Sequence, residues 1–291
     1  MKVIPKWRDL IIDPLDIEFK NIKIKEIISY PHAGNDVLEC IGIYKNKETN
    51  FIVKLERSKM ANFTNEARIL KELKNKLPVP SIYEFGEYNG YKYIVLNKEE
   101  GKKLSELHNE GANVNRYLYN LGLELAKIHN LNNITTDIAM QRPINDIPKE
   151  SDKIKFDKYE KEVIDYLEKS KPNIKHDTFI HGDFHYANVL WENEKLSAIL
   201  DFEYSGMGFK EQDIAWSLIL RPGQKFLNTI EEIEDFLKGY KKLGNYDDKK
   251  LNWCLINGYL HFYLMNKQGT NKDYLEKLKD LINHYIKKEG N

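Results

Sequence analysis

Charge of one sign, arginine, cysteine and long apolar runs are all scarce in this chain of 291 residues. Its 45 Lys and Arg are matched by 45 Asp and Glu, so no global field draws it to nucleic acid or to an anionic membrane surface. No nucleic-acid partner is expected. Only six of the basic residues are Arg, a bias we read as coding composition. The two cysteines, Cys40 and Cys254, stand in apolar sequence with no CxxC or Cys–His ligand spacing. They read as small buried hydrophobes of a reducing compartment. No apolar run approaches the ~18 residues that suggest a membrane span. Lys2, Lys6, Arg8 and Asp9 interrupt the N-terminal apolar stretches, so a secretory segment is not expected. A cytoplasmic protein follows from these absences, with no membrane association and no obligate protein partner.

The chain is long enough to bury a sizeable core, and two lobes are the natural organisation. Alternating apolar patterns dominate first. They predict strands over residues 22–28, 37–44 and 51–55, with a polar turn at 46–50, then a hairpin over 82–88 and 91–96 about Asn89-Gly90. A helix over residues 61–76 carries Phe63, Ala67, Leu70 and Leu73 on one face. Residues 1–20 are expected to wrap onto this lobe, Pro5 and Pro14 discouraging one long helix. After the polar stretch Asn97-Lys98-Glu99-Glu100-Gly101 the period becomes helical, and a lobe boundary is placed there: residues 1–97, then 98–291. Helices are predicted over 115–130, 156–170, 213–220, 248–267 and 271–288. A further helix follows the Thr229–Glu232 capping box. Residues 132–152 look irregular and suit part of a substrate lid.

The stretch from His181 to Asp201 organises the rest. It reads His-Gly-Asp-Phe-His-Tyr-Ala-Asn, then an apolar run, a turn at Asn193-Glu194 and a return to Asp201. A hairpin of that length brings its ends together, so Asp201 is expected near Asp183 and Asn188. Phosphoryl transfer needs a carboxylate to orient and accept a hydroxyl proton, and hard oxygen ligands for magnesium. Asp183 suits the first role; the Asn188 amide oxygen and the Asp201 carboxylate suit the second. Taken singly, Asp and Asn in loops more often cap turns; the spacing is what points to chemistry. His181 reads as a structural brace of the loop.

This run resembles the catalytic and metal loops of the aminoglycoside phosphotransferase and choline kinase superfamily, small-molecule relatives of protein kinases. The resemblance implies a bilobal, protein-kinase-like α+β fold: a five-stranded, nucleotide-binding N-lobe with one main helix, and a larger, mostly helical C-lobe carrying the catalytic loop. It implies ATP or GTP as phosphoryl donor, Mg2+ as cofactor, and a small-molecule hydroxyl as acceptor. Lys54 would steady the α- and β-phosphates and pair with Glu66. The loop bearing Gly34 and Asn35 would lie over the phosphates, and backbone groups at Asn97 and Glu99 would meet the purine. Asp213 would support the catalytic loop. Glu203 stays open between metal shell, substrate and solvent, and His129 reads as a packed or capping histidine.

The acceptor is open at this level. Glu231, Glu232, Glu234 and Asp235 form an acidic run suited to an aminoglycoside, but an i,i+4 pair of Glu234 with Lys238 favours a solvated helix face. A choline or ethanolamine head would need an aromatic cage; Trp216, Trp253, Tyr259, Phe262 and Tyr263 are available, though such spacing is more often core. Gly182 and Gly208 count against choline. An antibiotic kinase is the preferred reading, a choline, ethanolamine or other metabolite kinase the second, and a nucleotide-binding pseudokinase the third. Lys54, Asp183, Asn188 and Asp201 are all present, which argues against the pseudokinase.

Overall fold

The structure is a computed structural model and describes residues 9–31, 34–57, 61–134, 136–151 and 154–289. The expected features at Pro5 and the N-terminal Lys and Arg, and part of the loop before Gly34, lie outside these residues. In chain order the elements are β1 (Ile22–Ser29), β2 (Asp36–Tyr44), β3 (Lys47–Leu55), α1 (Phe63–Leu73), β4 (Ile82–Tyr88) and β5 (Tyr91–Asn97). There follow α2 (Leu104–Asn109), α3 (Val114–His129), α4 (Lys158–Lys169), β6 (Thr178–Ile180), β7 (Val189–Glu192), β8 (Lys195–Ile199) and β9 (Gly206–Gly208). The chain closes with α5 (Lys210–Leu218), α6 (Ile230–Lys241), α7 (Asp248–Asn266) and α8 (Lys272–Glu289). They cluster into two compact units: the described residues through Lys102 with Val189–Tyr204, and Lys103–Asn188 with the described residues from Ser205 onward.

The first unit is built on an antiparallel sheet of order β1-β2-β3-β5-β4. Two-residue turns set its registers. Lys45 and Asn46 both take positive φ, as do Asn89 and Gly90, and Asn193 and Glu194 in the separate β7–β8 hairpin. That backbone matches the twist of the strands it joins. The turn expected over residues 46–50 is therefore tighter, and β3 begins at Lys47, paired with Tyr44. Polar Glu48 and Asn50 had hidden the extension, since they belong to the strand without being apolar. The sheet buries Ile22, Leu38, Cys40, Phe51, Val53, Leu55, Tyr93 and Val95 in one cluster with Ile17. Each large aliphatic or aromatic side chain buried there contributes about 1.5–3 kcal/mol. The N-terminal segment is tied on by Ile11 N–H to Asp36 and by Lys20 and Asn21 N–H to Glu84.

Helix α1 starts at Phe63 because the Asn62 side chain accepts from Asn65 N–H, one of the orphan donors of a first turn. It buries Phe63, Glu66, Ala67, Ile69, Leu70 and Leu73. It ends short of the predicted residue 76, with Asn75 in the left-handed region. The β7–β8 hairpin joins this unit through paired backbone bonds between Lys102 and Trp191 and through Ile199 N–H to the Pro78 carbonyl.

The second unit is helical around α7, which is buried on nearly every face from Leu251 to Leu260, the pattern of a central helix. Helices α3 and α6 meet through a notch of two glycines. A Cβ on Gly122 would lie 2.0 Å from the Phe236 carbonyl oxygen, and one on Gly239 would lie 1.8 Å from that of Tyr119. Strand β9 pairs with β6, an element Gly-Met-Gly does not advertise. A Cβ on Gly208 would come within 2.2 Å of Ile180 Cδ1, so packing accounts for this glycine. Among the described residues no helix is long and apolar enough to cross a membrane.

Candidate active site

The loop from His181 to Asn188 hangs on a buried carboxylate. Asp213 does not open its helix, as the sequence suggests; it is the fourth residue of α5, and the helix turns it inward. Its two oxygens accept from His181 N–H at 2.9 Å and Gly182 N–H at 3.0 Å. His129 Nε2 lies 3.1 Å from Asp213 Oδ2, and its Nδ1 lies 2.7 Å from the Tyr240 hydroxyl. A buried polar side chain is tolerated where such partners satisfy it. Gly182, at φ 78°, turns the chain where a side chain would be strained. His181 Nδ1 then accepts from Asp183 N–H at 3.1 Å, and the Ser205 hydroxyl donates to the His181 carbonyl. His181 is a brace, as its sequence context suggests.

The Asp183 carboxylate is held on both oxygens. Trp216 Nε1 donates to Oδ1 at 2.8 Å; Arg142 Nη2 sits 2.9 Å from the same atom. Asn188 Nδ2 donates to Oδ2 at 3.2 Å and to the Asp183 carbonyl at 3.0 Å. These bonds fix the Asn188 amide and leave its Oδ1 as the atom suited to a hard cation. His185 Nε2 is 3.6 Å from Asp183 Oδ1. Burial, and then the charges of Arg221, His181, Arg142 and Lys103, push His185 well below its ordinary value, so it is neutral at pH 7.

In the first unit Lys54 joins two carboxylates. Its Nζ is 2.6 Å from Glu66 Oε2 and 2.9 Å from Asp201 Oδ1. Burial works to lower the Lys54 ammonium, but Asp201, Glu66 and Glu203 outweigh it and hold it above its ordinary value. The pairing expected of Lys54 and Glu66 is therefore present, with Asp201 added to it. Asp201 stands at φ 68°, a left-handed position that Asp tolerates better than most residues. Its carboxylate is a donor type magnesium takes.

The remaining sequence candidates divide. Asn35 is buried; it donates to Glu203 Oε2 at 2.9 Å and accepts from Arg57 N–H. Its side chain anchors the loop that carries Gly34, and Glu203 is an internal partner rather than a solvent-facing residue. The Asn97 N–H is taken by the Ser81 carbonyl, and its side chain bonds Ser81 N–H and Glu99. Among the described residues no protein carbonyl takes the Glu99 N–H. The acidic run on α6 divides: Glu232 completes the cap with Thr229 and Asp235 bonds Asn115, while Glu231 and Glu234 are exposed on a solvated face. Lys238 pairs with Asp235 at i,i+3, not with Glu234, because Asp235 is already steered toward α3. Trp253, Tyr259 and Tyr263 are buried, Trp253 and Tyr259 donating to main-chain carbonyls, so they form core and no cage.

Sequence reasoning missed Arg142 and Arg221. Residues 137–146 are pinned, with Asn257 donating to the Ile144 and Asp146 carbonyls, Ala139 N–H donating to the Met207 carbonyl and Met207 N–H to that of Asp137; they deliver Arg142 to Asp183. One signal was available: in a chain that defaults to Lys, two of only six arginines flank this loop.

Residues 43–249 match the model of a phosphotransferase enzyme family. An aminoglycoside 3'-phosphotransferase of Niallia circulans is 26% identical over 163 residues, covering 53% of this chain. The match spans 62% of that relative's length. Among solved structures, a thermostable mutant of aminoglycoside phosphotransferase APH(4)-Ia, in ternary complex with AMP-PNP and hygromycin B, superposes with a TM-score of 0.64 at 13% identity. That likeness covers 91% of this chain and 94% of the other. An ethanolamine kinase of Plasmodium vivax gives a TM-score of 0.55 at 17% identity, over 91% of this chain and 82% of the other. At these identities the likeness speaks for the fold, and it agrees with the kinase-like α+β architecture expected from the sequence.

Proposed function

This chain belongs to the phosphotransferase enzyme family, and from that premise we propose that it transfers the γ-phosphoryl group of ATP or GTP to a hydroxyl of a small molecule. The observation that carries the reading is the fixed Asp183 carboxylate, held by Trp216 and Asn188 in a loop hung on Asp213. The acceptor oxygen bonds to the γ-phosphorus as the bond to the β-phosphate bridging oxygen breaks. The hydroxyl proton passes to Asp183, and the nucleoside diphosphate leaves. Asn188 and Asp201 are the proposed magnesium ligands, and magnesium, when bound, neutralises phosphate charge. Lys54, steadied by Glu66, is assigned to the phosphates. The Gly34–Asn35 loop and the segment Asn97 to Glu99 are assigned to the rest of the nucleotide, with the Glu99 N–H as the donor to the base. Catalysis is then mostly positioning and charge stabilisation.

The names of the relatives support an aminoglycoside acceptor, and the ethanolamine kinase likeness keeps amino alcohols as a second reading. The side chains around Asp183 bear on that choice. The test of the reaction is nucleotide consumption across aminoglycosides, amino alcohols and hydroxy acids, with ATP and GTP compared. Asp183→Asn keeps shape but removes the proton acceptor, so turnover should fall about 10²–10⁴-fold with nucleotide affinity little changed. Near-normal turnover in that variant would remove Asp183 from the chemistry.

A further inference from the structure

We propose that the acceptor carries an oxyanion, a carboxylate or phosphate on the same small molecule as the reacting hydroxyl, held by Arg142 and Arg221 beside Asp183. This rests on the phosphotransferase reading above and names the chemical class of its substrate. The two guanidiniums lie 4.3 and 4.8 Å from the ring of Trp216, the residue whose N–H holds the Asp183 carboxylate. Two cations therefore border the place where the hydroxyl must sit.

Asp183 pairs with Arg142. Arg221 donates to the carbonyls of Ile219 and Trp216 and, among the described residues, to no carboxylate. The cleft beside Arg142 has one acidic lining residue, Asp213, and that carboxylate is committed to His181, Gly182 and His129. Burial, opposed by Asp183 and reinforced by the charge of Arg142, brings the Arg221 guanidinium down to about 10. An incoming anion relieves that situation and a polycation aggravates it. The guanidinium fork matches carboxylate and phosphate alike. As the acceptor hydroxyl takes Asp183 Oδ1, it displaces the contact of Arg142 there, and Arg142 turns to the anion.

The test is a steady-state kinetic comparison of hydroxy carboxylic acids and sugar phosphates, each with a neutral congener (carboxamide or unphosphorylated sugar), alongside kanamycin and choline. The best oxyanion acceptor is expected to exceed its neutral congener in kcat/KM by about 10-fold or more, and the two anion arms separate carboxylate from phosphate. Arg221→Gln should raise KM for that acceptor about 10- to 100-fold while KM for the neutral congener stays put; Arg221→Lys should recover part of the loss. A merely structural arginine would move both acceptors together. Preference for kanamycin or choline, equal use of the neutral congener, or no turnover of any oxyanion overturns the inference. Failure to bind magnesium AMP-PNP, read by thermal shift, would instead remove the phosphotransferase reading itself.

Discussion

The indole N–H of Trp216 donates to the carboxylate of Asp183 at 2.8 Å. The bond fixes which way an oxygen faces, in a loop whose backbone is already fixed by Asp213. Trp216→Phe keeps a ring for Arg142 and Arg221 to lie against but deletes the donor. Turnover should drop roughly 10-fold or more, the worth of one hydrogen bond to a charged group, while the melting temperature changes little. A variant with unchanged kcat would show that Trp216 does not orient Asp183.

Lys54 serves two carboxylates, one of them fully buried. Lys54→Met strands Glu66 and Asp201 together; Glu66→Gln leaves Lys54 with Asp201. Removing one partner of a buried pair costs ~3–5 kcal/mol, so the Met variant should be the less stable in urea unfolding, and the double variant with Glu66→Leu should regain part of the loss. Equal destabilisation by both single changes would contradict this asymmetry.

The glycine notch between α3 and α6 sets intrinsic propensity against packing. Alanine favours an exposed helix by about 1 kcal/mol over glycine. A Cβ on Gly239 would nevertheless meet a backbone carbonyl at 1.8 Å, and overpacking costs about 1–3 kcal/mol. Gly239→Ala and Gly122→Ala are expected to lower the urea midpoint. A rise in either would mean that the helices part at little cost.

His185 makes stability depend on pH. Its folded value lies well below the ordinary 6.5, and burial lowers His261 as well. Between the folded and unfolded values the unfolded chain binds more protons, so stability rises with pH. This contribution is fully present above 6.5 and is lost as pH falls toward the folded value. Urea midpoints should be level from pH 7 to 8 and decline below about 6.5, and His185→Gln should flatten the decline. A midpoint unchanged down to pH 5 would contradict the burial of a neutral imidazole.

The loop from His181 to Asn188 was legible because its pattern is written in consecutive residues. Asp183 and Asn188 are five apart, and their mutual bond needs no distant partner. Lys54 and Glu66 were legible for a similar reason, since a strand and the helix after it have few ways to meet. Arg142 and Arg221 were not, because nothing local marks them. Arg142 sits in an irregular segment whose path is set by Asn257 on α7, and Arg221 follows the end of α5. Strand β9 was hidden because glycine reads as turn until its partner, β6, is known. The start of β3 was missed because turn geometry, not polarity, decides where a hairpin ends.

The β7–β8 hairpin sits late in the sequence yet belongs to the first unit, fastened to Lys102 and Pro78. Recombination therefore cannot treat this gene as two consecutive cassettes. A crossover just after residue 102 takes the sheet from one parent and the hairpin, with its buried Trp191, from the other. Asp201 would travel with the hairpin, and its partner Lys54 with the sheet. Chimeras should survive only where the parents agree at both seams, or where the short stretch Val189–Tyr204 is carried across with the first 102 residues.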